Sequence, residues 1–412
     1  MAPADTSSHA AEIDLSPGAR WTLGAGLTIA VAMGISRFAY TPLLPDMRSA
    51  FHWSLSQVGD LGSMNYLGYL IGALLAPRFL SARSIHRTLG LALLGCVLTT
   101  WLGAFTADYW AWCGIRLTSG IASAFCLVLV TAHLSGLLTA AQRPRLGNLH
   151  FTGVGLGIMA SIFIIGSEAT ADPAIVAHHW QNLAAFSALL LLPAWGLFRS
   201  VQIGTAQATA PQTVTPFSRS LWRVIVGYGA FGFGYVVTAT FIVAMGQEAA
   251  TSAPASLNGS ANQIWLVTGA AAVPSVWLWQ QLAARWALAP TLALAYLVEA
   301  IGVVIAALGN SHWQLLLGGA LLGGTFAAIT ALGLSLAQRL APQQSGRAVG
   351  VMTAFFAVGQ LVGPSIAARL AEFGGSFVLP SVVAAALLLV AAVLLWQPQG
   401  ARTQSDTSTE TG

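Results

Sequence analysis

Residues 21–47 read WTLGAGLTIAVAMGISRFAYTPLLPDM, an apolar stretch in which Arg37 is the only charged residue before Asp46. At about 1.5 Å per residue, this stretch is long enough for an α-helix to cross the roughly 30 Å hydrocarbon core of a membrane. An unpaired arginine facing lipid at the centre of a helix costs roughly 2.5–3.5 kcal/mol. We therefore expect Arg37 to face protein or water inside a membrane-spanning bundle.

The composition extends this expectation to the whole chain. Of its 412 residues, 56% are hydrophobic and 7% are charged, whereas a soluble domain carries roughly 25% charged residues. Apolar runs of about 20 residues recur from end to end, which predicts an all-α, polytopic membrane protein. We expect about twelve transmembrane helices, near 21–44, 57–80, 87–106, 109–138, 147–167, 180–199, 221–246, 261–284, 287–308, 312–337, 348–370 and 376–396.

A polar stretch without periodicity, residues 203–220, divides the predicted spans into two groups of six. Sliding the chain along itself aligns residues 34–47 with 232–245, a weak internal similarity that favours duplication. Parallel repeats of this kind are found in secondary transporters. The predicted domains are a cytoplasmic tail (1–20), an N-terminal six-helix bundle (21–199), a cytoplasmic linker (200–220), a C-terminal six-helix bundle (221–397) and a second cytoplasmic tail (398–412).

The arginines predict the orientation in the membrane, because the chain contains no lysine. If both termini are cytoplasmic, only Arg48 and Arg369 lie outside, as the positive-inside rule requires. We therefore expect a multi-pass protein of a bacterial inner (plasma) membrane with both termini in the cytoplasm. The missing lysine also excludes the ATP-binding loop G-x-x-x-x-G-K-[ST] and with it an ATP-driven pump.

Two arginines inside the predicted spans are candidates for binding an anion. Helical spacing places Tyr40 and Thr41 on the face of Arg37, and Ser119 on the face of Arg116. A guanidinium fork suits a carboxylate, sulfonate or phosphate, and hydroxyl groups add hydrogen-bond donors. Both arginines are expected at a similar depth, where they would repel each other unless an anion lies beside them.

The same arginines also have a structural interpretation. Pro42 and Pro45 each remove a backbone donor and so free carbonyl groups one turn earlier in the helix. Arg37 or Arg116 would then cap those carbonyls, or pair with Asp46 or Asp60 near the outer face. The sequence leaves both interpretations open.

Two acids are candidates for proton coupling. Glu299 is the only acid deep in a predicted span, and Asp60 lies at the outer end of the second, within possible reach of Arg37 or Arg116. The alternatives are a protonated Glu299 bonded to a neighbouring helix and an ordinary outer-end Asp60. Further candidates for contact with substrate are polar or aromatic residues within spans: Tyr66, Tyr69, Tyr228, Tyr235 and Gln360.

Twelve spans in two halves, with R116LTSG120 in the fourth, resemble the major facilitator superfamily. Residues 34–47, with the pattern G-x-x-R-F-x-Y-x-x-L-L-P-x-M, resemble the signature of its YbfB/YjiJ group. The resemblance covers essentially the whole chain. It implies a rocker-switch fold in which spans one, four, seven and ten line the cavity, and it supplies no substrate.

Two features depart from the family pattern. The loop between spans two and three keeps the gating candidates Arg78, Arg83 and Arg87 but has Ala76 where an acid is expected, so the cytoplasmic gate is expected to be held differently. The antiporter signature ends in Gly-Pro and belongs in span five, but span five contains no proline. A Gly-Pro pair occurs instead in span eleven, in G359QLVGP364. Export by antiport therefore loses its best sequence support.

These features predict a secondary active transporter that moves a small organic anion by alternating access, in symport with protons. The alternatives are an exporter of amphipathic or aromatic compounds and, from another class, a polytopic membrane enzyme. The candidates for catalysis, His133, Glu299 and Asp60, are scattered along the chain, so we expect no enzyme. We expect no cofactor or metal, and as partners a small-molecule substrate, the lipid bilayer and protons. Nucleic acid is not expected, because no basic cluster has interleaved aromatic residues, and the protein is expected to be a monomer.

Overall fold

The computed structural model describes residues 16–80, 84–139, 141–166, 169–199, 215–252 and 260–396. All regular structure in these ranges is helical. The α-helices are α1 (Pro17–Ile29), α2 (Tyr40–Ala50), α3 (Leu55–Leu75), α4 (Ile85–Leu102), α5 (Tyr109–Leu137), α6 (Arg143–Leu146), α7 (Thr152–Ile165), α8 (Pro173–Arg199), α9 (Arg219–Ser252), α10 (Ser260–Arg285), α11 (Leu288–Leu308), α12 (His312–Leu340), α13 (Ser345–Gly374) and α14 (Val378–Leu395).

Nine helical stretches within the described ranges are long and apolar enough to cross a membrane: Pro17–Ala50, Ile85–Phe105, Tyr109–Leu137, Pro173–Leu197, Arg219–Ala249, Leu288–Leu308, His312–Leu340, Pro342–Gly374 and Val378–Leu395. The helices α3, α7 and α10 lie packed among them, α3 against α5 and α13, and α7 against α10. A helix between other helices tolerates polar residues that lipid would not, which accounts for the weaker apolar signal of α3 and α10. The prediction of an all-α, polytopic membrane protein is confirmed.

Burial separates central from peripheral helices. The most apolar windows of Pro17–Ala50 and Arg219–Ala249 are both 83% buried, whereas that of Pro173–Leu197 is 28% buried. The first span and α9 therefore lie at the centre, and α8 has most of its surface turned outward. The two central spans are the ones whose residues 34–47 and 232–245 align.

The first span is broken at its middle. A π-helical turn, Ala30–Ile35, follows α1, and α2 begins only at Tyr40. Phe38 N donates five residues back to Met33 O at 3.1 Å, while Thr41 N donates only three residues back to Phe38 O at 3.1 Å. The carbonyl of Arg37 thereby loses its usual donor four residues ahead. Such π-turns occur frequently at functional sites.

Glycines bring α3 and α5 into backbone contact. A Cβ atom at Gly120 would lie 2.0 Å from the carbonyl oxygen of Asn65, and one at Gly68 would lie 1.9 Å from that of Leu117. No side chain fits at these distances. The glycine of R116LTSG120 therefore fixes the approach of two helices, as small residues commonly do in membrane bundles.

Hydrogen bonds between the two halves cluster at the end of the bundle where α2 ends and α3 begins, which we name the α2–α3 end. Thr41 Oγ1 donates to Ala239 O at 2.7 Å. Asn262 Nδ2 of α10 donates to Gly166 O at 2.6 Å, and Ser56 N of α3 donates to a carboxylate oxygen of Glu372 at 2.7 Å. These bonds join the halves at this end, where a cavity of about 850 Å³ also lies between them.

Candidate functional site

Arg37 lies at the break in the first span and is buried, with 2% of its surface exposed. Its guanidinium carbon lies 4.2 Å from the ring centre of Tyr69 and 4.5 Å from that of Tyr66. Its Nη1 contacts the sulfur of Met33 at 3.9 Å. Its Nε and Nη2 have no hydrogen-bond partner among the described residues. Aromatic faces therefore stabilise the cation, and one edge of the guanidinium remains available.

A small cavity of about 40 Å³ lies beside Arg37, at the junction of the two halves. From the N-terminal half it is lined by Met33, Arg37, Phe38, Tyr69, Leu127, Phe151 and Val154. From the C-terminal half it is lined by Tyr235, Phe326, Ala327, Thr330, Phe356 and Gln360. Arg37 is the charged residue of this lining, and most of the remainder is aromatic or aliphatic. The site is thus an apolar chamber with one cationic wall.

The C-terminal half contributes a stack of aromatic rings to this cavity. The ring of Tyr235 is parallel within 4° to those of Phe326 and Phe356, with centre-to-centre distances of 6.0 and 5.8 Å. Gln360 Nε2 donates to Tyr235 Oη, and Gln360 Oε1 has no partner among the described residues. Of the residues predicted to contact substrate, Arg37, Tyr69, Tyr235 and Gln360 line this cavity. Tyr66 lies against Arg37, and Tyr228 packs on Phe356 outside the lining.

Arg116 is also buried but has a different environment. Its Nη1 donates to Ser36 O and its Nη2 donates to Arg37 O, both at 3.4 Å. The ring centre of Tyr40 lies 4.4 Å from its guanidinium carbon. Arg116 does not line the cavity beside Arg37. It donates to carbonyls at the break in the first span, and these are not the carbonyls one turn before Pro42 and Pro45 that the sequence indicated.

Ser119, Tyr40 and Thr41, which the sequence places with the arginines, are engaged in helix contacts. Ser119 Oγ lies 3.0 Å from Ser36 Oγ, Tyr40 Oη donates to Val58 O at 2.7 Å, and Thr41 Oγ1 bonds α9 as described above. Their hydroxyl groups therefore hold the first span against α5, α3 and α9 in this conformation.

Asn65 is a buried polar residue of this region that the sequence analysis did not single out. Its Nδ2 donates to Arg116 O at 3.0 Å and lies 3.4 Å from Ser119 Oγ. The available signal was a lone amide in an apolar helix. Phe38, Phe326 and Phe356 were also not singled out, because phenylalanines in apolar helices carry no distinguishing pattern.

Neither candidate acid lies beside the arginines. Asp60 forms an ion pair with Arg369 at 2.8 Å and accepts a hydrogen bond from Ser365 Oγ, so in this conformation its carboxylate contacts the other half. Glu299 is fully buried in α11, which packs against α12 and α14. Its carboxylate oxygens have no hydrogen-bond partner among the described residues.

The gating candidates Arg78 and Arg87 lie at the opposite end of the bundle from the α2–α3 end. Arg78 is exposed in the 3-10 turn that follows α3, and its Nη1 donates to Leu74 O at the end of α3 at 3.3 Å. Arg87 is exposed at the start of α4, and Arg83 lies outside the described residues. Ala76, which replaces the usual acid, is fully buried. The two described arginines are therefore free to contact other groups in a different conformation.

The fold is similar to those of solved transporter structures. The structure of a mutant of the nucleoside transporter NupG matches with a TM-score of 0.71 and 14% sequence identity, covering 92% of this chain and 99% of that chain. A second crystal structure of NupG matches with a TM-score of 0.65 and 13% identity, covering 92% and 98%. At these identities the likeness establishes the fold.

Relatives by sequence are uncharacterized MFS-type transporters. One from Yersinia pestis (strain Pestoides F) is 28% identical over 136 residues, which are 33% of this chain and 35% of the relative. One from Yersinia enterocolitica serotype O:8 is 26% identical over the same length and shares. The chain thus matches about a third of the length of these relatives.

The profile of one protein family matches residues 29–396, nearly the whole chain. That family is described as the uncharacterised MFS-type transporter YbfB. The match agrees with the signature in residues 34–47, with the NupG-like fold and with the helices long enough to span a membrane. The chain belongs to the YbfB family of MFS-type transporters and is a multi-pass membrane protein.

Proposed function

We propose that this protein is a proton-coupled secondary transporter of a small organic anion, with Arg37 as the anion-binding residue. The observation that carries the proposal is the buried Arg37 at the cavity, whose Nε and Nη2 have no partner among the described residues. These two atoms form one edge of the guanidinium, and their N–H groups donate side by side to the two oxygens of a carboxylate.

The charge of Arg37 favours the same conclusion. A cation held by ring faces still lacks a counter-charge, and the described part of the chain places no carboxylate against it. A buried charge without a partner is strongly unfavourable, and buried charges in proteins are therefore usually paired. A substrate anion supplies that pair, which makes binding favourable without leaving a permanent ion pair in the empty protein.

The division into two bundles that are joined at one end supports an alternating-access mechanism. Under the arginine distribution the α2–α3 end faces the periplasm and both termini face the cytoplasm, so this conformation is closed toward the periplasm. The moving units are the bundles 21–199 and 221–397, joined by the linker 200–220. Arg78, Arg83 and Arg87 hold the cytoplasmic side when it closes in turn.

Asp60 and Glu299 are the proposed sites of proton coupling. Asp60 joins the halves through Arg369, so protonating it removes an attraction that holds the periplasmic side closed. Glu299 lies within the C-terminal bundle and exchanges a proton without contacting the cavity. Of the two, Asp60 has the direct connection to the movement of the halves.

Uptake by proteoliposomes of the full chain tests the proposal. Labelled benzoate, lactate and succinate are offered with and without an inward proton gradient in a bacterial lipid mixture. We expect uptake of at least one carboxylate, faster with the gradient and lost in Arg37→Gln. Equal uptake of the neutral amides of these acids, or no carboxylate uptake by wild-type protein, contradicts an anion transporter.

A second candidate is an exporter of amphipathic or aromatic compounds, and the rings lining the cavity favour it. An exporter of neutral or cationic aromatic compounds is not expected to need Arg37. Efflux of such dyes from cells that express Arg37→Gln at wild-type rates supports this candidate instead.

A further inference from the structure

The charge of Arg37 indicates that the ligand is an anion. The rings that the C-terminal half contributes to the cavity indicate the shape of that ligand. Tyr235, Phe326 and Phe356 come from three helices of the C-terminal half, α9, α12 and α13, and the ring of Tyr235 is parallel within 4° to each of the other two. Phe38, the neighbour of Arg37, meets Phe326 edge to face with ring centres 6.1 Å apart. Flat π faces and a ring edge therefore line the space beside the cation.

From this juxtaposition we propose that the substrate is a planar aromatic monocarboxylate. The inference rests on the proposed function, because it takes Arg37 as the carboxylate site. The carboxylate binds the Nε–Nη2 edge of Arg37. The aromatic body lies against the rings of Tyr235, Phe326 and Phe356, in the offset-stacked or edge-to-face arrangements that aromatic pairs prefer.

The number of charges follows from the lining. Arg37 is the one charged residue among the side chains that line the cavity. The guanidinium of Arg116 donates to the carbonyls of Ser36 and Arg37 and is not part of the cavity lining. A second carboxylate on the ligand would be desolvated among aromatic and aliphatic groups without a partner, which is strongly unfavourable. The site therefore selects monocarboxylates over dicarboxylates.

Gln360 adds a preference for a hydrogen-bond donor on the ring. Its amide nitrogen is engaged by Tyr235, while its oxygen lacks a partner among the described residues and belongs to a side chain of the cavity lining. A hydroxyl or amino substituent on the ligand donates to that oxygen. A methoxy substituent of similar shape cannot.

The volume of the cavity indicates how the ligand is accommodated. About 40 Å³ is far below the roughly 300–1,000 Å³ of pockets that hold small molecules. The rings of the two halves are therefore collapsed onto each other, and the ligand ring takes the place of the Phe38–Phe326 contact when the halves part. Exchanging one ring contact for another costs less than exposing phenylalanine to water.

Binding of chosen probes to detergent-purified full-length protein tests the proposal. Benzoate and cyclohexanecarboxylate share a carboxylate on a six-membered ring, and they differ in planarity and π faces. Benzamide removes the charge, terephthalate adds a second one, and 4-hydroxybenzoate and 4-methoxybenzoate differ in the donor. We expect benzoate to bind roughly three- to tenfold more tightly than cyclohexanecarboxylate, 4-hydroxybenzoate more tightly than 4-methoxybenzoate, and benzamide and terephthalate weakly.

Substitutions of the ring residues test which side chains cause the preference for benzoate over cyclohexanecarboxylate. Phe356→Leu and Phe326→Leu should each lower benzoate affinity several-fold while leaving cyclohexanecarboxylate within about twofold, since only the ring contact is lost. Phe241→Leu is the matched control, because Phe241 is fully buried but packs on Phe377 away from the cavity. Size-exclusion profiles identify any variant that fails to fold, and the second variant then decides.

The outcomes separate this inference from the function beneath it. Equal binding of benzoate and cyclohexanecarboxylate, or tight binding of aliphatic acids alone, overturns the aromatic specificity and leaves an anion transporter. Terephthalate binding as tightly as benzoate overturns the single-charge inference. Benzamide binding as tightly as benzoate, or no carboxylate binding at all, overturns the anion site and with it the proposed function.

Discussion

Arg116 Nη2 donates to the carbonyl oxygen of Arg37 at 3.4 Å, so one buried arginine holds the backbone of the other. The two residues are 79 positions apart and belong to α5 and to the break between α1 and α2. Arg116 thereby sets the position from which the Arg37 side chain reaches the cavity. The sequence gives the two arginines the same two interpretations. In the fold, Arg37 lines the cavity and Arg116 holds the backbone of Arg37.

Lysine substitutions distinguish these tasks. Arg37→Lys keeps a charge but loses the bidentate edge, so benzoate affinity should fall roughly tenfold or more with little change in thermal stability. Arg116→Lys has a shorter side chain and lacks the planar fork that spans the carbonyls of Ser36 and Arg37, so it should lower the unfolding temperature. Titration and thermal unfolding of purified protein measure both effects, and a wild-type affinity in Arg37→Lys would remove Arg37 from the binding site.

Gly120→Ala should destabilise the N-terminal bundle. The added methyl group would lie 2.0 Å from Asn65 O, so α3 and α5 must separate, at a cost of about 1–3 kcal/mol for overpacking. Gly114→Ala, on the same helix with nothing within 4 Å of the new atom, is the control. Thermal unfolding in detergent should show a clear decrease for the first variant only; equal effects would mean that the contact is not limiting.

Asp60→Asn should loosen the closure at the α2–α3 end. The pair with Arg369 is partly exposed, with 26% of the Asp60 side chain accessible, so we expect a modest effect, on the order of 0–1 kcal/mol. A cysteine at the buried Thr240, which lies opposite Gly62 across the halves, reports opening when Cys96, Cys113 and Cys126 are replaced by alanine.

Labelling of that cysteine by a membrane-impermeant maleimide should be up to about fivefold faster in Asp60→Asn. Relative to labelling of the unfolded protein at the same pH, which corrects for ionisation of the thiol, the rate should also become independent of pH if the proton acts at Asp60. Arg369→Lys keeps the charge pair and should change labelling less. Unchanged labelling in Asp60→Asn would exclude this ion pair from the closure.

Neutralising Arg83 and Arg87 together should lower the transport rate more than the substrate affinity. Arg87 is exposed in this conformation and, with Ala76 in place of an acid, we expect both residues to meet helix ends of the other half when the cytoplasmic side closes. Initial rates and binding constants of Arg83→Gln/Arg87→Gln against wild type measure this. A change confined to affinity would show that the loop is not a gate.

Reporters test the orientation. A cytoplasm-active reporter fused after Trp396 and another inserted in residues 203–220 should both be active, because the arginines segregate to one side. Activity of a periplasmic reporter at one of the two positions would overturn the span count, and activity at both would place the α2–α3 end in the cytoplasm.

Hydropathy predicted most of the fold, since lipid requires long apolar helices and allows few alternatives. The cost of burying a charge likewise predicted that Arg37 faces protein. The role of Arg116 depends on which carbonyls at the break in the first span lack a helical donor. The π-turn determines this, and the hydropathy pattern does not predict the π-turn. The partner of Asp60 is 309 residues away, and the convergence of Phe326 and Phe356 on Tyr235 depends on how three helices rotate about their axes. Such relationships are set by packing between distant segments.

The candidate site is divided between the halves: Arg37 belongs to the N-terminal half, and the parallel rings of Tyr235, Phe326 and Phe356 belong to the C-terminal half. A ligand that contacts both is held best when they are close together, so occupancy itself favours the occluded arrangement. Once the halves part on either side, the ligand keeps only one set of contacts and its dwell time shortens. In a transporter built this way, separation of the halves itself weakens ligand binding, so release of the ligand needs no additional step.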